Sequence, residues 1–258
     1  LSSLIEERLG LYFSPDYREL LVEKLSPRAV ERGFESMLDY YYFLRYDAAA
    51  ATELLAIADV LTVNETYFLR EAAQLRALVD ELIVPAASAG QRLRVWCAAC
   101  STGEEPLSLA ALLDERKLLD GVQLVASDIS ERALQIARRG HYGTRAVRSL
   151  EALPHWLSRE GQQHVVSTRL RDVIDWRRIN LLDEAAVQAL GRFDAIICRN
   201  VLIYFRDPTV QAVVSRFHDM LTPGGYLLVG ASESLLRLGT PFACEERRGA
   251  FFYRKTDS

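Results

Sequence analysis

The pattern of apolar residues changes near residue 90, and this change limits the fold more than any other feature of the sequence. Up to that point apolar residues recur at helical spacing, as in 34–46, 48–61 and 65–84. Beyond it, short and continuously apolar runs alternate with helical stretches. Continuous apolarity is typical of parallel strands that are covered on both faces. The sequence therefore predicts an all-helical N-terminal domain followed by an α/β domain with a doubly wound sheet.

The individual elements follow from these runs and from the residues that end them. The Ser14-Pro15-Asp16 sequence predicts a helix start, Ser26-Pro27 predicts a restart or a kink, and Gly33 predicts the end. Five runs predict the strands of the main sheet, at 93–97, 122–127, 178–181, 193–198 and 226–230. Further helices are predicted at 106–119, 131–139 with Ser130 as N-cap, 184–190 and 208–221. The chain is predicted to close with an antiparallel pair, 242–246 and 250–255.

Two segments mark the domain boundaries. Residues 85–90, with the sequence PAASAG, are small and rich in helix breakers. We therefore expect a linker at 85–91 between a helical domain at 1–84 and an α/β domain at 92–258. Between Gly140 and Arg177 the alternation is interrupted by HVVSTRL and DVIDW, which predict short strands outside the main sheet. We interpret about 141–177 as an inserted antiparallel β-subdomain.

Charge and composition exclude several classes of protein. The 258 residues include 31 Lys and Arg against 35 Asp and Glu, so no overall basic surface favours a nucleic acid partner. No run approaches the length of uncharged apolar sequence that a membrane span needs. The first residues lack the basic and apolar regions of a signal peptide, and residue 1 is Leu rather than Met. We therefore expect a trimmed or processed cytoplasmic chain.

The four cysteines predict neither a disulfide framework nor a metal site. Three of them lie inside or beside apolar runs, where cysteine behaves as a small hydrophobic residue. Cys97 and Cys100 form a CxxC, but no second pair follows and no His stands at zinc-finger spacing. We therefore expect no bound metal.

The loops after the predicted strands carry the candidate binding residues, because ligands of open α/β sheets bind beyond the carboxyl ends of the strands. The loop that begins at Ala98 contains small residues and Gly103, which allow the backbone to approach a ligand closely. Glu104 and Glu105 stand at the entrance of the next helix, where a phosphate would otherwise bind. Two negative charges argue against a pyrophosphate and favour a cationic or amino-bearing ligand.

Asp128 follows the second predicted strand, where an acidic residue can accept hydrogen bonds from both hydroxyls of a ribose. For Asp128 alone, stabilising the N-terminus of the next helix is an equally good role. Taken with the first loop, Asp128 indicates adenosine without phosphates. S-adenosylmethionine has the required ribose, adenine, sulfonium cation and amino acid tail. Asn200, after the fourth strand, can reach an adenine edge or serve as a turn residue.

Five stretches of the chain form an ordered set of motifs: NETYFLR at 64–70, WCAACSTGEEPLS at 96–108, SDI at 127–129, CRNVLIYF at 198–205 and GASESL at 230–235. In this order they resemble the signatures of the CheR family of chemotaxis-receptor methyltransferases. The resemblance covers nearly the whole chain. It implies a class I S-adenosylmethionine methyltransferase domain with a small antiparallel β-subdomain inserted in it, preceded by an all-helical domain. It also implies methyl esterification of glutamate side chains on the cytoplasmic helices of chemoreceptors, with S-adenosylhomocysteine as the product.

The resemblance also implies roles for individual residues. Arg70 approaches the cofactor from the N-terminal domain, Glu105 or Glu104 contacts its methionine part, and Asp128 binds its ribose. Arg70 and Tyr204 are the predicted catalytic residues, with Tyr204 near the transferred methyl group. The predicted cofactor-binding residues are Asn64, Thr66, Arg70, Ala98, Gly103, Glu104, Glu105, Asp128, Asn180, Leu181, Asn200 and Val201.

Methyl transfer to glutamate needs little catalytic apparatus, since a side chain with a pKa of about 4.3 is already a carboxylate at neutral pH. Arg70 can hold a carboxylate through two donors and Tyr204 can donate one hydrogen bond. Without the surrounding motif, Arg70 would be interpreted as a solvated helix charge. Two other functions remain open: a carboxyl methyltransferase for another substrate, and an S-adenosylmethionine-binding signalling module without catalysis.

The partner implied by the resemblance is the cytoplasmic domain of a chemoreceptor. Lys24, Arg28 and Arg32 recur every four residues and would share one face of a helix that continues through Pro27. That face is either a basic strip for an acidic receptor helix or a solvated surface. The inserted segment resembles the β-subdomain with which some family members capture a receptor's C-terminal peptide by strand addition. We expect a monomer that neither binds nucleic acid nor inserts into a membrane.

Overall fold

Within the fully described residues 1–61, four helices pack around one apolar cluster. The computed structural model describes residues 1–148 and 154–256. Leu25, Leu44 and Ile57 lie at the centre of the cluster and have no exposed surface. The helices are α1 (Ser2–Leu9), α2 (Arg18–Glu31), α3 (Met37–Tyr46) and α4 (Ala50–Leu61). The predicted helical fold of this region is therefore confirmed, with helix starts that differ by several residues.

Helix α2 differs from the prediction at both of its prolines, Pro15 before its start and Pro27 in its interior. Ser14, the predicted N-cap, makes no capping hydrogen bond and is followed by a short 3-10 turn, Pro15–Tyr17. Helix α2 then continues through Pro27, which was predicted to restart or kink it. Proline inside a helix removes one backbone hydrogen bond. Burial of Leu21 and Leu25 against the other helices outweighs this loss and keeps the helix continuous.

Glu53 of α4 is a buried carboxylate that holds three of these helices together. Its side chain is 3% exposed. Arg28 donates to both of its oxygens, at 2.7 and 2.9 Å, and the Tyr40 hydroxyl donates at 2.6 Å. Arg32 lies 3.4 Å away. Arg28 and Arg32 of the predicted basic strip therefore pair with Glu53, although Arg32 itself is 45% exposed, whereas Lys24 lines the cavity of the candidate site.

We expect Glu53→Gln to lower the free energy of unfolding by about 2 kcal/mol at pH 7, because charge-assisted hydrogen bonds are lost. Burial raises the pKa of Glu53, but hydrogen bonds from Arg28 and Tyr40 outweigh burial and hold the pKa below its usual value. A depressed pKa stabilises the fold above the unfolded pKa of about 4.3, and this contribution disappears as the pH falls through the lower folded value. The difference between parent and variant in urea unfolding should therefore shrink in acid.

The matched control is Glu7→Gln, which removes an exposed ion pair with Arg45 of the same helical domain. Exposed ion pairs contribute little to stability, so Glu7→Gln should lower the free energy of unfolding by less than about 1 kcal/mol. If Glu7→Gln and Glu53→Gln lower the free energy of unfolding by equal amounts, the burial of Glu53 does not strengthen its interactions.

Residues 62–88 pack against the α/β domain rather than with the first four helices. Leu75 and Ile83 belong to the apolar cluster on one face of the main sheet. The predicted helix at 65–84 is wrong in its first turns, for reasons given with the site. The predicted linker at 85–91 is helical up to Ser88, and the packing favours a domain boundary near residue 62. The helical pieces are α5 (Ala72–Leu78), a π-helical turn (Val79–Ile83) and α6 (Val84–Ser88).

Within the described residues, seven strands form one sheet that is mostly parallel. In chain order the strands are β1 (Leu93–Ala98), β2 (Val122–Asp128), β3 (His141–Tyr142), β4 (Leu157–Glu160), β5 (Gln163–Val166), β6 (Ile174–Arg178), β7 (Phe193–Cys198), β8 (Leu221–Val229), β9 (Phe242–Arg247) and β10 (Ala250–Lys255). The main sheet has the order β6-β2-β1-β7-β8-β10-β9. The first five strands in this order, β6, β2, β1, β7 and β8, pair in parallel. Strand β10 pairs antiparallel with β8 on one side and with β9 on the other. The predicted doubly wound sheet and its closing antiparallel pair are confirmed, except for the edge strand predicted at 178–181.

Helices cover both faces of the main sheet. On one face, the buried Trp96 ring meets Phe217 edge to face, with ring centroids 5.4 Å apart. The Ser130 hydroxyl accepts a hydrogen bond from the Ala133 amide, which confirms the predicted N-cap. The covering helices are α7 (Glu104–Glu115), α8 (Glu131–Arg139), α9 (Thr168–Asp172), α10 (Glu184–Gln188) and α11 (Asp207–Met220).

The inserted region divides differently from the prediction. Strands β3, β5 and β4 form a separate antiparallel sheet, as predicted. The DVIDW sequence, however, forms β6 at the edge of the main sheet, where Ile174 pairs with Leu124 of β2. The predicted strand at 178–181 is therefore wrong. DVIDW was correctly predicted as a strand, but an edge strand with one solvated face alternates polar and apolar residues, so it lacked the continuous apolarity by which the strands of the main sheet were recognised.

Residues 149–153 of the predicted insert and 257–258 of the predicted α/β domain lie outside the described residues. Among the residues that the structure describes, no helix combines the length and the apolarity needed to cross a membrane.

The order of the strands predicts where a ligand binds. The chain proceeds from β1 outward to β2 and β6, then returns to place β7 on the other side of β1. Such a reversal opens a crevice at the carboxyl ends of the two central strands. In this protein those ends are Ala98 and Cys198.

Candidate functional site

A cavity of about 510 Å³ lies at this crevice, between the sheet and the N-terminal helices. Its volume falls in the range of small-molecule sites, about 300–1,000 Å³. The loops after the strands contribute polar groups, and the N-terminal region contributes apolar ones such as Leu9, Phe13 and Leu61. The cavity can therefore surround a ligand that has both polar and apolar parts.

The loop after β1 has an unusual backbone. Ala99 and Ser101 adopt left-handed conformations, with φ of 56° and 52°. Residues other than glycine occupy this region at a cost, and such strain is concentrated at functional sites. Both side chains are small, and both residues line the cavity. The Cys100 amide donates to the Ser127 carbonyl at 2.8 Å, which ties this loop to the end of β2.

Asp128, at the end of β2, is held by backbone amides on both sides. Its Oδ2 accepts from the Ser101 amide at 2.7 Å, and its Oδ1 accepts from the Ser130 amide at 2.8 Å. Burial raises the pKa of Asp128, although these amides and that of Ile129 counteract the rise. Each carboxylate oxygen can accept a second hydrogen bond. Asp128 is thus oriented in the cavity wall with acceptor capacity for a pair of ligand hydroxyls.

The two glutamates at the start of α7 point in different directions. Glu105 lines the cavity, and its Oε2 lies 3.3 Å from Nη1 of Arg199. Glu104 is turned away and accepts a hydrogen bond from the Thr102 hydroxyl at 2.6 Å. Burial raises the pKa of both carboxyl groups, and the positive charge of Arg199 counteracts the rise at Glu105. Of the two predicted alternatives, only Glu105 can meet a ligand ammonium in this cavity.

Gly103 has a packing role in this structure. Its φ is 90°, and an added Cβ would lie 2.6 Å from the Cβ of Ala137 and 3.0 Å from the Trp176 ring. Glycine therefore lets α8 and β6 pack closely against the start of α7.

The segment 64–71 crosses from the helical domain to the cavity without forming a helix. The Phe68 amide donates to the Ala146 carbonyl at 2.8 Å, and the Leu69 amide donates to the Ser108 hydroxyl at 2.9 Å. These bonds to the α/β domain replace the intrahelical bonds, which is why the helical composition of 65–71 misled the prediction. Asn64, Thr66 and Arg70 line the cavity as a result.

The loop after β7 is organised by Glu233, which lies in the turn after β8. The Glu233 carboxylate accepts hydrogen bonds from the amides of Asn200 at 2.6 Å, Gly230 at 2.8 Å and Ile203 at 3.2 Å. Asn200 has a left-handed backbone, with φ of 60°. This arrangement directs Asn200, Val201 and Tyr204 to the cavity. The GASESL stretch therefore supports the site through its glutamate.

The residues after β6 also reach the cavity. The Asn180 side chain donates to the Arg8 carbonyl at 2.8 Å and accepts from the Leu182 amide at 3.0 Å. Both ends of its amide are thus bonded within the chain, and Asn180 with Leu181 forms a wall that reaches α1.

An N-terminal strap, residues 10–13, covers the cavity next to Tyr204. The Tyr12 amide donates to the Tyr204 carbonyl at 2.9 Å, and the Arg206 guanidinium lies 3.9 Å from the Tyr12 ring centroid. Gly10 has φ of 77°, and an added Cβ would lie 2.8 Å from the Phe205 ring. A glycine is therefore required where the strap passes over the loop after β7. The strap carried no periodic signal in the sequence and was missed.

The structure brings most of the predicted site residues to one cavity. Three of them lie outside its lining: Ala98 is buried within β1, and Gly103 and Glu104 pack as described above. The predicted residues that line the cavity are Asn64, Thr66, Arg70, Glu105, Asp128, Asn180, Leu181, Asn200, Val201 and Tyr204.

Arg199 is the most prominent cavity residue that the sequence analysis left without a role. Its side chain is 1% exposed. Charged residues are rarely buried so completely unless they are paired. The residue stood inside the quoted CRNVLIYF stretch, and only its position directly after a buried strand could have drawn attention to it.

Comparison with known proteins identifies the family. The family model described as "CheR methyltransferase, SAM binding domain" matches residues 64–250, and the one described as "CheR methyltransferase, all-alpha domain" matches residues 1–62. The chain belongs to the CheR family. It is an S-adenosylmethionine-dependent methyltransferase, and the boundary between the two matches agrees with the packing near residue 62.

Curated relatives of this CheR chain match it over nearly its whole length. "Chemotaxis protein methyltransferase 2" of Vibrio cholerae serotype O1 is 35% identical over 257 residues, which is 96% of this chain and 89% of that protein. "Chemotaxis protein methyltransferase 1" of Pseudomonas aeruginosa is 33% identical over 262 residues, 97% of this chain and 94% of that protein.

Among solved structures, a magnesium protoporphyrin IX methyltransferase from Synechocystis with bound SAH is 19% identical. It covers 73% of this chain and 68% of its own, with a TM-score of 0.34. That score is too low to add to the family assignment.

The residues of the CheR cavity fit S-adenosylmethionine. Asp128 has acceptor capacity for the two ribose hydroxyls, and Glu105 provides a buried carboxylate for the ammonium group. A ligand that carries a pair of hydroxyls and an ammonium matches these groups.

Proposed function

We propose that this CheR protein transfers the methyl group of S-adenosylmethionine to glutamate side chains on the cytoplasmic helices of a chemoreceptor, as an adaptation step in chemosensory signalling in the cytoplasm. The supporting observation is that Arg70 and Tyr204 line the cofactor cavity from two different loops. A guanidinium and a phenol hydroxyl both donate hydrogen bonds and suit a carboxylate substrate. The relatives in Vibrio cholerae and Pseudomonas aeruginosa are named chemotaxis protein methyltransferases, which agrees with this proposal.

The chain's own residues need only bind, align and exclude water. When bound, S-adenosylmethionine supplies an electrophilic methyl group on a positively charged sulfur. Arg70 can present two donors to the incoming carboxylate and hold it in one orientation, and Tyr204 can donate to the same group. The strap at residues 10–13 covers part of the cavity with Leu11, Tyr12 and Phe13 and so reduces the access of water, which strengthens these interactions. A general base is unnecessary because free glutamate side chains are ionised at neutral pH, with a pKa of about 4.3.

Two other functions are less well supported. A small-molecule carboxyl methyltransferase has no evident need of the helical domain that contributes Asn64 and Arg70 through its connecting segment. A signalling module without catalysis does not require both Arg70 and Tyr204 in the lining of the cavity. We also propose that the protein acts as a monomer on its receptor.

We expect the purified protein to transfer label from methyl-labelled S-adenosylmethionine to chemoreceptor cytoplasmic fragments. Replacing the accepting glutamates of the fragment with alanine should abolish the labelling, because no other side chain offers a carboxylate in the same helical position. Label that persists after these replacements, or that goes only to small molecules, would contradict the proposed substrate.

A further inference from the structure

Arg199 joins three parts of the cavity from a fully buried position. Its Nη2 donates to the Arg70 carbonyl at 2.6 Å and lies 3.4 Å from the Glu71 carboxylate. Its Nη1 lies 3.3 Å from Glu105 at the start of α7. Burying a guanidinium is costly unless such partners are held in place. The buried guanidinium of Arg199 therefore restricts the positions of segment 64–71 and of the start of α7.

The contact with Arg70 falls at a strained point of segment 64–71. Leu69 and Glu71, the two neighbours of Arg70, both have left-handed backbones, with φ of 58° and 51°. Such conformations persist only where the surrounding structure enforces them. The Leu69 amide is bonded to Ser108 on one side, and the Arg70 carbonyl is bonded to Arg199 on the other. Arg199 thus fixes the peptide group from which the Arg70 side chain projects.

The second contact concerns the charge of Glu105. Burial raises the pKa of this carboxyl group, and the positive charge of Arg199 is the largest influence that lowers it. Removing that charge would let Glu105 bind a proton at a higher pH. The titratable and charged groups that act on or respond to Glu105, from every neighbouring element, are Arg199, Arg70, Glu71, Glu233, Cys97, Cys100 and Cys198.

We propose that Arg199 is a positioning residue, whose planar guanidinium fixes the Arg70 peptide group through Nη2 and places the positive charge at Nη1 beside Glu105. The role of Arg70 in this inference rests on the proposed function. The contacts themselves lie within the chain and do not depend on which substrate is methylated.

Two variants separate geometry from charge. Arg199→Lys keeps a positive charge but has no planar guanidinium with two separate nitrogens for Arg70 and Glu105, and Arg199→Gln loses both the charge and the guanidinium. Arg94 is the matched control, because its guanidinium also donates to backbone carbonyls, of Arg192 and Leu190, but at the opposite end of the strands. Arg94→Lys and Arg94→Gln should leave both measurements below unchanged.

The first measurement is amide hydrogen exchange of residues 66–71 in the protein without added ligand. We expect amide exchange at Phe68 and Leu69 to become roughly tenfold faster in both Arg199 variants, because segment 64–71 opens locally more often. The lysine variant retains the charge and is the more stable of the two, so it carries this test if Arg199→Gln does not fold. Unchanged exchange in Arg199→Lys would overturn the proposal.

The second measurement is S-adenosylmethionine affinity by calorimetry from pH 6 to pH 8.5. In Arg199→Gln the loss of affinity should grow to roughly tenfold as the pH falls, because Glu105 becomes protonated. Arg199→Lys should follow the parent profile in shape. If the profile of Arg199→Gln is parallel to that of the parent, the proposed charge role is wrong. Neither measurement uses a receptor, so failure here is distinct from failure of the proposed substrate.

Discussion

Replacing Arg70 with alanine is expected to lower kcat at saturating S-adenosylmethionine by roughly 100-fold, the loss typical of one oriented charge-stabilising donor. Arg70 lines the cavity, and among the described residues its guanidinium donates one hydrogen bond, from Nη1 to the Glu65 carbonyl at 3.1 Å. Its other donors remain available to align a substrate carboxylate. An interaction made mainly in the transition state appears in kcat rather than in affinity. Cofactor affinity should therefore fall far less than turnover.

Arg70→Lys should rescue little of this loss, because a point charge cannot reproduce a bidentate fork. Arg76→Ala is the matched control, since Arg76 is an exposed arginine of α5 that does not line the cavity. The measurement is single-turnover transfer to a receptor fragment, with cofactor binding measured separately. Transfer at the parental rate by saturated Arg70→Ala would make Arg70 a cofactor ligand only.

Asp128→Ala is expected to weaken S-adenosylmethionine binding by about 2–3 kcal/mol, the value of charge-assisted hydrogen bonds to two hydroxyls. The carboxylate also organises the cavity wall, because it accepts from the amides of Ser101 and Ser130. Because burial raises the pKa of Asp128, affinity in the parent should fall as the pH drops through that raised value. Calorimetry as a function of pH measures both effects.

The control for this variant is Asp120→Ala, which removes a carboxylate that is 82% exposed and precedes the opposite end of β2. Its affinity should match that of the parent. Thermal unfolding of Asp128→Ala reports how much of the loss reflects a disordered loop. A folded Asp128→Ala protein with parental affinity would remove Asp128 from the cofactor site.

The central strands and the residues after them were predictable because one physical constraint governs both. Strands buried on both faces must be apolar throughout, so β1, β2 and β7 appear as continuous runs. Once these strands are known, the geometry of a parallel sheet places the residues that follow them at one edge. Asp128 and Asn200 were found in this way, as were the small residues that follow β1.

Features that depend on tertiary contacts were not predictable. Strand β6 was predicted as a strand but not as part of the main sheet, because it has a solvated face and lacks a continuous apolar run. Segment 64–71 has a helical composition, but its amides bond to Ala146 and Ser108 in a distant part of the sequence. Arg199 looks like an ordinary surface charge until Arg70, Glu71 and Glu105 are brought around it. In each case the decisive partner is far away in the sequence.

The chemical nature of the transferred methyl group tests the account most directly. A receptor fragment labelled by this protein with methyl-labelled S-adenosylmethionine should be treated with mild base, and volatile label should be collected. Glutamyl methyl esters hydrolyse under these conditions and release methanol, so we expect nearly all protein-bound label to become volatile. Label that stays on the fragment after base treatment would indicate methylation of an amine or thiol and would contradict methyl esterification of glutamate.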